Sequence, residues 1–115
     1  MTKEQALYNF WSSFGVPAYV ESTVPDDATF PRITYNVKVD TFDRPVTMTA
    51  SVWDRSDSWE RVTGIVDQIA EELGRGGTKV NGVLWIKPGT PFAQDMTDPD
   101  KQIRRKLLNV EAEYA

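Results

Sequence analysis

The chain contains neither cysteine nor histidine. Without thiols it can form no disulfide and offer no thiolate nucleophile. Without imidazole it lacks the commonest proton relay and the usual zinc ligands. Carboxylates, lysines, tyrosines and hydroxyls remain, so catalysis is disfavoured rather than forbidden. No apolar run approaches the ~18 residues that would span a bilayer, so no membrane partner is expected. The opening Met1-Thr2-Lys3-Glu4-Gln5 also lacks the basic-then-apolar order of a secretion signal. The expectation is a protein made in the cytoplasm and used there or assembled there into something larger. An excess of positive charge is missing as well. A net charge of −4 argues against a dedicated, sequence-specific nucleic-acid binder, because phosphate neutralisation supplies most of that affinity.

What is present fits one domain spanning 1–115, long enough for a real core. Four tryptophans exceed what a modest core needs, and Trp and Arg are favoured interface anchors. The richest segment is Ser51–Leu73. Val46, Met48, Ala50 and Val52 alternate with polar neighbours, the period of a half-buried strand. After Asp57 the period becomes 3.6, with Trp59, Val62, Ile65, Val66, Ile69, Ala70 and Leu73 on one helical face. Asp57 has the position of an N-cap and Glu60 follows three residues later, while Gly74-Arg75-Gly76-Gly77 stops the helix. Gly64 inside it costs about 1 kcal/mol relative to alanine. It is either a tolerated weakness or a point of close approach.

Elsewhere, Thr2 and Gln5 have capping-box spacing, and Leu7, Phe10, Trp11 and Phe14 follow at helical intervals up to Gly15 and Pro17. Val16–Val20 reads as a short edge strand and 21–31 as a loop. Arg32–Val39 alternates cleanly, and a hairpin pairs it with Val46–Trp53. On that second strand Thr47, Thr49, Ser51 and Trp53 share the polar face. Lys79–Lys87 is extended, with Asn81-Gly82 as a type I′ turn or a bulge. A loop of about fourteen residues, 88–101, then precedes a long strand, Gln102–Tyr114. The predicted class is α+β: a mixed, mostly antiparallel sheet with two helices on one face.

No catalytic, cofactor-binding or metal-binding residue emerges. Asp95, Asp98 and Asp100 lack the calcium-loop order and make good turn chemistry instead. Asp26 and Asp27 with Asp54 or Asp57 form no recognisable carboxylate pair. The glycines after Leu73 follow a helix, whereas a phosphate cradle precedes one. The basic cluster Lys101, Arg104, Arg105 and Lys106 is split by alternation, Arg104 and Lys106 facing with Leu108, Arg105 with Leu107. It either bridges to nearby acids or meets an acidic partner surface. Phe92 and Met96, in the long loop, either fold onto the core edge or dock into a neighbouring subunit. Of the two corner tryptophans, Trp59 reads as core. Trp53, with Arg55, reads as interface. The expected interface is therefore Trp53, Arg55, Phe92, Met96, Arg104 and Arg105.

The order of elements, with the strings FPRITY, SVWDRS and PGTPFAQDMTDPDKQIRRKLLNVEAEY, resembles the tail terminator (tail completion) proteins of long-tailed bacteriophages. Neighbouring head–tail joining and minor capsid proteins are similar too. The resemblance covers nearly the whole chain and carries no motif residues. It implies a non-enzymatic virion protein, a homo-oligomeric ring (commonly a hexamer) at the head-proximal end of the tail. Such a ring stops polymerisation of the tail-tube protein and docks the head–tail connector protein. The polar sheet face, with Arg32, Lys38, Glu111 and Glu113, would stay solvated inside or outside it. The competing expectations are a head-completion or minor capsid adaptor, and a small soluble ligand-binding domain or enzyme.

Overall fold

The computed structural model describes residues 1–37 and 42–115. Helix α1 (Lys3–Trp11) begins with the capping box expected of Thr2 and Gln5. The Gln5 amide donates to Thr2 Oγ1 at 3.1 Å, and the Thr2 amide donates to Gln5 Oε1 at 2.9 Å. Ala6, Leu7, Phe10 and Trp11 are buried, and a short 3-10 turn ends at Gly15 with φ +81°. Among the described residues, six strands follow the order β1-β2-β3-β6-β5-β4 across one sheet. They are β1 (Ala18–Val20), β2 (Arg32–Tyr35), β3 (Val46–Arg55), β4 (Thr78–Val80), β5 (Leu84–Met96) and β6 (Ile103–Tyr114). Only β1 and β2 run parallel, so the sheet is mixed but mostly antiparallel.

Register explains the core. Tyr35 lies opposite Ala50, Ala50 opposite Leu108, Met48 opposite Val110, and Val46 opposite Ala112. All of these are buried on one face, under α1 and α2 (Glu60–Leu73). Removing a side chain such as Leu108 from water completely contributes about 2 kcal/mol. The α+β reading, with both helices on one side, therefore holds. Of the predicted Arg32–Val39 strand, Lys38 and Val39 lie outside the described residues, and pairing to β3 is regular as far as Tyr35. Asn81 and Gly82 both have positive φ, as a type I′ turn requires, and join β4 to β5.

Three local expectations are corrected. The 88–101 segment is not a single loop, because β5 continues to Met96 along β6. Its prolines are tolerated because β4 pairs β5 only at Leu84–Ile86, and among the described residues no strand flanks the rest of that edge. The irregularity is confined to 89–92, where the register jumps from Pro88↔Val110 to Ala93↔Leu108 and leaves Asn109 facing the excess. Gly89 passes so close to Asn109 that an added Cβ would sit 2.8 Å from its carbonyl oxygen, and Asn109 Nδ2 donates to the Pro91 carbonyl at 3.0 Å.

The second correction concerns the start of α2, which Asp57 does not cap. Trp59 holds the N-cap position without a side-chain bond, and Ser58 Oγ accepts the Glu60 amide at 3.0 Å. Serine hydroxyls bond readily to a backbone two residues on, and here they displace the carboxylate. The third is Ala70, which is exposed rather than part of the buried stripe.

Candidate assembly surface

Opposite the helices, the sheet presents an open face. Strand register places Arg32 beside Trp53, Trp53 beside Arg105, and Arg105 beside Met96, a single row across four strands. Trp53 is half-buried, and its indole Nε1 donates to Thr34 Oγ1 at 2.9 Å. The Arg105 guanidinium lies 4.5 Å from the Trp53 ring centroid, and its Nε donates to Ser51 Oγ at 3.0 Å. Thr34 and Ser51 are thereby buried although they belong to the polar face. Arg32 stands 4.2 Å from the Phe30 ring and donates to the Ala28 carbonyl at 3.1 Å. Arg55 reaches the same ring at 5.5 Å and pairs with Asp100 at 2.9 Å. Cation–π contacts of this kind are each worth roughly 0.5–1 kcal/mol when exposed.

The helix side of the same sheet end is different. Arg104 and Lys106 flank Trp59 at 5.5 and 5.3 Å. Arg104 donates to the carbonyls of Lys101 (2.9 Å) and Asp57 (3.1 Å), while Lys106 pairs with Asp95. Trp59 is half-buried against the core rather than fully inside it. It lines a shallow groove of about 350 Å³ with Met96, Asp98, Asp100, Ile103 and Arg104. Asp100 accepts the Gln102 amide at 3.0 Å and the Arg55 guanidinium, and these hold its pKa below the ordinary carboxylate value. That is the condition of a structural ion pair, not of an acid–base group poised near neutrality. Asp95 and Asp98 are likewise engaged, the first by Lys106 and the second by the Asp100 amide.

Of the residues singled out in the sequence, Trp53, Arg55 and Arg105 meet on the open face, with Met96 at the end of their row. Arg104 belongs to the helix side. Phe92 sits in the irregular part of β5, partly buried against the core. Sequence reasoning missed Phe30 and gave Arg32 no role beyond a solvated face. The signal for both was the string Phe30-Pro31-Arg32 at the mouth of a strand. It also missed the fork between Arg61 and Asp54, which ties the first turn of α2 to the end of β3.

Compared with family models and with curated proteins, the sequence matches none. Among solved structures, the fold is similar to that of a chain described as part of the virion of a native gene transfer agent particle. The TM-score is 0.61 at 13% identity, over 96% of this chain and 90% of that one. At that identity the likeness shows a shared fold along nearly the whole length of both chains.

Proposed function

We propose that this chain is a non-enzymatic structural protein of a virion, a subunit of the ring that closes the head-proximal end of a phage tail. There it would end polymerisation of the tail-tube protein and present the surface on which the head–tail connector docks. The observation that carries the reading is the end-to-end fold likeness to a chain of a gene transfer agent virion. Support comes from the open sheet face, where Trp53 and three arginines gather. Trp53, Arg55, Met96 and Arg105 are assigned to subunit contacts on the open face, and Arg104 to contacts on the helix side of the same sheet end.

The test mixes the purified chain with the tail-tube protein encoded beside it and follows tube length by electron microscopy. Capped tubes of limited length, with a ring (hexameric in this reading) at one end, are expected. A chain that neither binds tubes nor limits their length, and stays strictly monomeric, ends the proposal. Binding to the connector without binding to tubes would make it a head-completion adaptor instead.

A further inference from the structure

Two surfaces of this molecule carry opposite, uncompensated charge, and they lie on opposite sides of the sheet. On the open face, Arg32 and Arg105 flank Trp53 and bond only to neutral oxygens. Neither meets a carboxylate among the described residues. A guanidinium has five donors, so most of theirs remain unfilled. On the helix side, α2 turns Glu60, Gly64, Asp67 and Glu71 outward along one stripe, all exposed. Among the described residues no cation pairs with these acids, and Arg61, the one cation on the helix, is committed to Asp54.

The stripe is unfavourable within the isolated molecule. Asp67 and Glu71 repel across one helical turn. Glu71 and Glu72 crowd the last turn, where the helix dipole favours cations and none is present. Gly64 adds to the puzzle. It weakens the helix on its exposed side, yet a Cβ built on it meets nothing within 4 Å, so no internal packing requires it.

We infer that the Glu60–Gly64–Asp67 stripe of one copy docks on the Arg32–Trp53–Arg105 row of a second copy. The spacings agree. Two strand steps separate Arg32 from Arg105, about 10 Å, and seven residues of helix separate Glu60 from Asp67, about 10.5 Å. Each acid then meets an arginine, and the bare backbone at Gly64 faces the Trp53 ring. Because the two patches occupy opposite faces of one subunit, the contact is head-to-tail and propagates into a ring or a filament. This inference rests on the assembly reading above and names the surfaces that would carry it.

The experiment follows association by sedimentation across concentration at low ionic strength. It compares the wild-type chain, Arg105→Glu, Asp67→Arg and the double exchange Arg105→Glu/Asp67→Arg. Each single reversal is expected to weaken association roughly 10- to 100-fold, since like charges placed together cost several kcal/mol. The double exchange should return to within about threefold of wild type. Asp67 is exposed, so its variant keeps the question open to test even if Arg105→Glu folds poorly. Single reversals that associate like wild type overturn the inference, as does a double exchange that recovers nothing. Tubes still capped by such reversals would leave the tail-ring reading standing, whereas a wild-type chain that neither associates nor caps tubes removes both. Binding of duplex DNA that is lost in Arg105→Glu but kept in Asp67→Arg would assign the row to nucleic acid and also overturn it.

Discussion

Arg61 closes a two-pronged fork on Asp54: Nε reaches Oδ2 at 2.9 Å and a terminal nitrogen reaches Oδ1 at 2.7 Å. The carboxylate is wholly buried, while the arginine side chain is 58% exposed. Among the described residues the Arg55 amide supplies the only other donor to that carboxylate, at 2.9 Å. The two partners are therefore unequal. Losing Arg61 strands a buried charge, whereas losing the charge on Asp54 leaves an arginine that water can solvate. Arg61→Leu should destabilise the fold more than Asp54→Asn, and the double variant should lose less than the sum of the singles. Urea unfolding of the four proteins checks this; additive losses would mean the fork does not couple helix to strand.

Asp100 gives the fold an acid-sensitive contact. Its pKa is lowered, first by the Gln102 amide and then by Arg55, from an ordinary value of 3.8. The unfolded chain therefore takes up a proton at higher pH than the native one. The stability this confers is complete above the ordinary value and disappears as pH falls through the native value. Both partners are about half exposed, so screening keeps the contribution small and salt-sensitive. In Asp100→Asn the acid limb of the stability profile should flatten, with the gap to wild type closing at the lowest pH. Parallel acid limbs in unfolding measurements would count against this.

The parts of the fold that were legible in the sequence are those decided locally. The capping box at Thr2 depends on residues three apart, and the buried stripe of α2 on one helical period. The course of β5 was not legible, because prolines and a glycine usually break a strand. Only the pairing with β6, and the edge beyond Ile86 that no strand flanks among the described residues, reveal that they can be accommodated here. The row through Arg32, Trp53 and Arg105 was hidden for a related reason. Trp53 and Arg105 were each suspected, but their contact depends on a register between strands far apart in the chain. The start of α2 was misread because carboxylate and hydroxyl caps are close rivals, and Ser58 sits one residue nearer the helix.

Phe92 and Met96, alike in the sequence, part company in the structure. Phe92 is packed against the core from the irregular turn of β5. Met96 ends the strand, half-exposed, beside Arg105 and the groove at Trp59. Phe92→Ala should therefore cost about 1–2 kcal/mol of monomer stability, less than a fully buried phenylalanine because its burial is partial. Met96→Ala should leave unfolding nearly unchanged and, in the tail-ring reading, weaken subunit association. Denaturant titration beside sedimentation separates the two. Equal loss of stability in both variants would place Met96 in the core as well.

Gly64 offers the sharpest separation of folding from assembly. In the isolated subunit its replacement by alanine meets no atom within 4 Å and lengthens the run of good helix formers. The gain should approach 1 kcal/mol, a rise in Tm of about 4 °C for a domain of this size. If the Trp53 ring of a second copy lies against that backbone, the same methyl group pushes it away. Gly64→Gln pushes further, keeping part of the stability while reducing association more than alanine does. Calorimetry on dilute protein reads the first effect, and sedimentation on concentrated protein reads the second. A pair of variants that gain stability and associate like wild type would show that the glycine is merely a weak point in α2, with nothing resting on it.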